Sequence, residues 1–159
     1  MPDFKHLKVQ YLKLRESVIK YLDQFDEKSY FYQPTIKSNT TAWIIPHISA
    51  FEKLMVIDKI EGYNFGIFIS QEEIEKYKPG VDAFNFKKEE LMDKKQAIEL
   101  LGKTQEVSIK FLDDMIAQTN SVKAVDPENA FNRYFFNFSH ETEHYGQIKY
   151  LIGTWKRTH

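Results

Sequence analysis

The sequence predicts an all-α protein, a four-helix bundle. Apolar residues recur at spacings of three and four along four long stretches, strand-like alternation is almost absent, and strong helix-start signals precede some of the stretches. The 159 residues suit a single domain spanning 1–159. A hydrophobic share of 42 %, with 15 % aromatic, is ample to fill one core.

The first helix is expected from about Phe4 to Phe25, where Phe4, Leu7, Tyr11, Leu14, Val18, Tyr21, Leu22 and Phe25 mark one apolar face. The stretch from Asp26 to Lys37 contains Pro34 and ends that pattern. A second helix begins at the cluster Ser38-Asn39-Thr40-Thr41, all good N-cap residues, and runs through Trp43, Ile44, His47, Ile48, Phe51, Leu54 and Met55 to about Ile60. With Thr40 as the cap, Pro46 lies beyond the first turn, where it must kink the helix or shift its start.

Residues 61–88 are the least periodic and carry Gly62, Gly66, Pro79 and Gly80, with one short helix expected over Gln71–Tyr77. Such a long excursion reads as a lid or pocket wall. The helical period returns from Lys88 to about Gln118, and Thr119–Asp126 is a linker. Asp126-Pro127-Glu128 then starts the last helix, with the acid as cap and proline at the first helical position, and the period continues to about Trp155.

Charge and composition exclude several classes of function. A net charge of −1, from 22 basic and 23 acidic residues spread along the chain, leaves no basic stripe for nucleic acid. The absence of cysteine removes disulfides, thiolate metal sites and cysteine nucleophiles, and it fits a reducing cytoplasm. The N-terminal residues have no apolar core of signal-peptide length and no run approaches a membrane span, so a cytoplasmic location away from membranes is expected.

The chemistry concentrates in the histidines. His140 and His144 sit four apart in the last helix, and at about 100° per residue their imidazoles rise from one face on adjacent turns. Two such rings can converge on one metal ion, although most pairs with this spacing are surface coincidences. On the helical wheel Tyr134, Phe138, Tyr145 and Ile152 form the main core stripe. A second stripe holds Arg133, Asn137, His140, His144, Gln147, Ile148 and Leu151. A solvated face would not normally carry Ile148 and Leu151, so this stripe borders either a polar pocket or a second packing surface such as a dimer contact.

His47 lies four residues from both Trp43 and Phe51, on an apolar face. A lone histidine in that setting is more often a core residue bonded to a carbonyl than a ligand. His6 and His159 lie near the chain ends and are expected in solvent. Asn137, Glu141, Glu143 and Gln147 are near enough to the pair to orient its rings, with Glu143 more naturally a surface charge. Gly146, with Ser139 and Gly153 seven residues to either side, forms a small-residue seam suited to close helix packing.

The helix order, the segment Trp43-Ile44-Ile45-Pro46-His47 and the run His140-Glu141-Thr142-Glu143-His144-Tyr145-Gly146-Gln147-Ile148 together resemble the DinB/YfiT-like family over nearly the whole chain. The resemblance implies a divalent ion, zinc or nickel, held by His47, His140 and His144. It also implies chemistry on a small-molecule substrate, with low-molecular-weight thiols as co-substrates of characterised relatives. Two positions depart from the family pattern: Pro46 directly before the first ligand, and Tyr145 where a basic residue is common. Two readings therefore stand side by side. One is a metal-dependent transferase or hydrolase. The other is a non-catalytic bundle in which the histidines serve structure or assembly, with Phe131, Phe135, Phe136 and Phe138 exceeding one core stripe and suggesting a homodimer.

Overall fold

A computed structural model describes residues 1–159. Its helices in chain order are α1 (Phe4–Tyr21), α2 (Glu27–Tyr30), α3 (Thr41–Phe51), α4 (Gln71–Tyr77), α5 (Lys94–Ala117) and α6 (Pro127–Thr158). There is no strand. The long helices α1, α3, α5 and α6 form the expected four-helix bundle, with α1 and α3 each packed against both α5 and α6.

Local chemistry fixes most helix ends. The Asp3 and Thr40 side chains accept from the backbone N–H of His6 and Trp43, capping α1 and α3. Asp126 caps α6 by accepting from Glu128 and Asn129, with Pro127 at the first helical position. Pro46 neither shifts the start of α3 nor ends it; the helix runs through it and is buried on every side. Beyond Phe51 the same helix loosens into a π-turn over Glu52–Val56 and closes with a 3₁₀ turn at Ile57–Lys59, a widening that the apolar period does not announce.

Three sequence expectations need correction. The fourth long pattern begins at Lys94, not Lys88. Asp93 and Gln96 form a reciprocal capping box there, and Lys88–Glu90 makes only a 3₁₀ turn. Neither stripe of α6 is the single core face: Tyr134 and Ile152 of the first and Asn137, His144, Ile148 and Leu151 of the second are buried, while Phe138 and Tyr145 are half-buried and Gln147 is exposed. The small-residue seam packs against nothing: a Cβ on Gly146 would meet no atom within 4 Å, and Ser139 is exposed.

The core is divided. One apolar cluster gathers Val18, Leu22, Ile44, Ile48, Leu101, Ile148 and their neighbours. A second gathers Leu7, Tyr11, Val56, Phe111, Leu112 and Tyr134. Between them in sequence, each long helix contributes buried polar residues: Arg15 from α1, Glu52 at the end of α3, Thr104 and Ser108 from α5, Asn137 and Glu141 from α6. The histidines sit at this polar level, on the side where α3 meets α6.

Candidate metal centre

In α3, Trp43, His47 and Phe51 recur every fourth residue, so their rings line one face of a helix buried all round. The indole of Trp43 lies flat on the His47 imidazole, with centroids 4.4 Å apart and planes 16° from parallel. Phe51 stacks in the same way on His140, at 3.4 Å and 7°. Each aromatic ring therefore fixes one imidazole plane. His144, one turn beyond His140, completes the set.

Three Nε2 atoms face one another. His47 Nε2 lies 3.1 Å from His140 Nε2, which in turn lies 3.0 Å from His144 Nε2. The opposite nitrogens explain why two of these atoms, those of His47 and His144, carry lone pairs. His47 Nδ1–H donates to the backbone carbonyl of Tyr77 at 2.7 Å, and a carbonyl can only accept. His144 Nδ1 meets Gln147 Oε1 at 3.0 Å and donates to it. A neutral imidazole that donates from Nδ1 presents a bare Nε2.

Burial keeps the rings neutral. It pulls the His47 imidazole down to about 4, against the opposing pull of the Tyr77 carbonyl, with nearby His144 lowering it further. Burial also takes His140 down to about 3, helped by repulsion from His144 and His47. The same cause outweighs the Gln147 bond and holds His144 below its ordinary value.

The bare Nε2 atoms of His47 and His144 converge on one point, and lone pairs so placed repel unless a proton or a cation lies between them. An ion about 2.1 Å from two imidazole nitrogens sets them about 3.0 Å apart at right angles and about 3.4 Å apart at the tetrahedral angle. The observed spacings fall at the lower end of that span. The donor set thus fits a divalent first-row ion, and His47, His140 and His144 form the one group of three or more ligand-type side chains close enough to hold a metal.

Both views of His47 hold together, since it is a carbonyl-bonded core residue through Nδ1 and a candidate ligand through Nε2. Pro46 does not displace it. His6 and His159 lie in solvent and take no part. Gln147 orients His144, and Glu143 is a surface charge. Glu141 does not orient the histidines. Its carboxylate takes a two-pronged grip from Arg15, Nε to Oε1 at 2.7 Å and Nη2 to Oε2 at 3.0 Å.

The same guanidinium reaches Glu52 Oε2 at 2.6 Å and the Leu101 carbonyl at 3.2 Å. Glu52 also accepts from Tyr11 at 2.9 Å and from Ser108, which in turn accepts from Tyr134. Sequence reasoning missed this cluster, and it missed the Tyr77 carbonyl and the stacking role of Phe51. The widest clefts lie elsewhere; one of about 580 Å³, between the start of α1 and the α5–α6 linker, has no histidine in its wall.

The family model of the DinB superfamily matches residues 10–148, a span that contains all three histidines. This chain belongs to the DinB superfamily. No curated protein matches it. The family match spans the segments that carried the resemblance, Trp43–His47 and His140–Ile148, and in this DinB-superfamily chain those two segments are the ones that meet at the three-nitrogen cluster. No helix is long and apolar enough to cross a membrane.

Proposed function

We propose that this protein binds one divalent ion, zinc or nickel, through Nε2 of His47, His140 and His144, and acts as a metal-dependent transferase on a small molecule with a low-molecular-weight thiol as co-substrate. The observation that carries the reading is the convergence of three Nε2 atoms at 3.0–3.1 Å spacings, two of them left bare by rings that donate from Nδ1. Such an ion supplies Lewis acidity, acidifying a thiol or a water and polarising a carbonyl.

The chain's own residues then decide which use is favoured. All three ligands are neutral and no carboxylate bonds to any of the rings, so the full charge of the ion is left for an incoming group. An anionic sulfur is well matched to that charge, which supports thiol transfer over hydrolysis. Hydrolysis needs a general base beside the water, and of the two acids next to a ligand in sequence Glu141 is locked to Arg15 and Glu143 is turned to the surface. Trp43 and Phe51 shield the flat faces of the rings, so a substrate approaches on the side of His140, the ligand least buried, and of exposed Gln147.

The shielding also favours a second reading, in which the ion is structural and no small molecule is turned over. Metal analysis followed by substrate survey separates the two. The purified protein, stripped and reloaded, is expected to retain about one equivalent of Zn²⁺ or Ni²⁺. A variant with all three histidines changed to alanine that kept the same metal content would end both readings. A loaded protein that turns over no electrophile with any thiol leaves the structural one.

A further inference from the structure

Two of the three imidazoles have a partner for Nδ1, and the third does not. His47 donates to the Tyr77 carbonyl and His144 to Gln147, whereas Nδ1 of His140 is buried without a hydrogen bond. One turn earlier on α6, Asn137 is fully buried and both ends of its amide are likewise unpartnered. A buried amide with neither end bonded is rare, because each stranded atom costs about 1–3 kcal/mol. A ring nitrogen and an amide oxygen one turn apart on α6 are thus orphans of complementary kind.

The helix makes the pairing reachable. Side chains three apart have Cβ atoms roughly 5–6 Å apart, and a helical side chain leans back over the turn that precedes it. His140 therefore leans toward the turn that holds Asn137, and each polar atom lies two bonds from its own Cβ. Among the other polar side chains beside the ligands on α6, Glu141 is held by Arg15, Gln147 serves His144, and Glu143 is exposed.

We infer that Asn137 is the positioning residue for His140: its Oδ1 accepts the Nδ1–H of that ring, fixing the tautomer that turns Nε2 toward the other two histidines. This rests on the three-histidine reading above and completes it, giving each ligand one outer partner: a backbone carbonyl, a side-chain amide on the surface, and a side-chain amide in the core. Such partners raise ligand basicity and hold ring orientation. The inference also accounts for an asparagine in a buried layer where leucine would pack at no polar cost.

Asn137→Leu and Asn137→Asp test it with three readouts: zinc affinity by competition with a chelator, the thermal midpoint of the metal-free protein, and the tautomer of His140 from long-range ¹H–¹⁵N NMR of the metal-free protein. Asn137→Leu is expected to weaken zinc binding about 10- to 100-fold while leaving the midpoint of the metal-free protein little changed, since it removes the unpartnered Nδ2 but takes the acceptor from His140 Nδ1. A residue with a purely structural role would move affinity and stability in the same direction. Asn137→Asp, which keeps an acceptor, is expected to bind zinc at least as tightly as the wild type. In the wild type His140 is expected to carry its proton on Nδ1, and in Asn137→Leu to become a mixture of tautomers.

Zinc affinity unchanged in Asn137→Leu, or lost equally in both variants, overturns the assignment. Should Asn137→Leu fail to fold, the wild-type tautomer and the Asp variant decide. Should the wild-type protein bind no zinc, the three-histidine reading fails, and the His140 tautomer in wild type against Asn137→Leu still decides the role of Asn137.

Discussion

Two polar clusters lie side by side in the core of this bundle and are built to opposite ends. In the first, Arg15, Glu52, Glu141, Tyr11 and Ser108 close on themselves: Glu52 accepts from three donors and Glu141 receives both prongs of the guanidinium. In the second, His47, His140 and His144 turn three ring nitrogens toward one point, two of them acceptors by virtue of their bonded Nδ1. The two are neighbours on the same helices, with Glu52 following Phe51 and Glu141 following His140. A cluster with its donors and acceptors balanced serves the fold, whereas one with a surplus of acceptors is shaped for something the chain does not itself provide.

The largest expected effect comes from breaking the balanced cluster. Arg15→Met takes the cation from two buried carboxylates and leaves Glu141 without a donor, and is expected to cost about 3–5 kcal/mol of stability, read as a lower urea midpoint. If the midpoint stays put, the cluster is dispensable to the fold and the contrast fails. The pair is already under tension, since burial pushes the Glu141 carboxyl up against the pull of Arg15.

Acid should act on the other cluster. A histidine in the unfolded chain titrates near 6.5, while His47 and His140 in the fold titrate near 4 and 3, so the unfolded chain binds more protons between those values. The neutral rings contribute their full stability above pH 6.5. As pH falls that contribution is lost, and the loss is complete only below about 3. The loss is expected to reach on the order of 2–3 kcal/mol for each of the two rings by about pH 4.5 in the metal-free protein. A triple alanine variant is expected to show a flatter acid limb in the same denaturation series, and a limb of wild-type steepness would place the acid sensitivity elsewhere.

How far these clusters were legible in the sequence follows from the type of atom involved. His140 and His144 share a helix, so periodicity alone aligned them. His47 came into view only through its apolar face and the family resemblance, because no local rule pairs residues 93 positions apart. The ion cluster was hidden because Arg15 and Glu52, and Arg15 and Glu141, are 37 and 126 residues apart, and a lone charge in an amphipathic helix reads as a surface residue. The start of α5 was written in Asp93 and Gln96 but masked by the apolar Leu91 upstream. The bundle itself was plain, since four periodic stretches admit few other arrangements.

The smallest expected effect lies outside both clusters. Phe131 packs edge-on against Phe4, so of the phenylalanines that suggested assembly only Phe135, 58 % exposed, and Phe136, 46 % exposed, remain uncovered. Phe135→Ser is expected to change stability by less than about 0.5 kcal/mol. If α6 forms a homodimer contact through this face, sedimentation at high micromolar concentration should show the wild type as a dimer and the variant shifted toward monomer. A wild-type monomer there removes assembly from consideration.

The carbonyl that accepts from His47 belongs to Tyr77, at the end of a seven-residue helix outside the four-helix frame. Because the acceptor is main chain, exchanging the side chain at that position does not delete it; only rerouting the backbone does. The phenol of Tyr77 guards against such rerouting by accepting from the Met92 N–H at 2.8 Å, tying the end of α4 to the residues just before α5. Loop length between α3 and α5 is therefore a tuning knob for the first histidine, and descendants of this chain could adjust their reactivity by insertion or deletion there while every imidazole stayed in place.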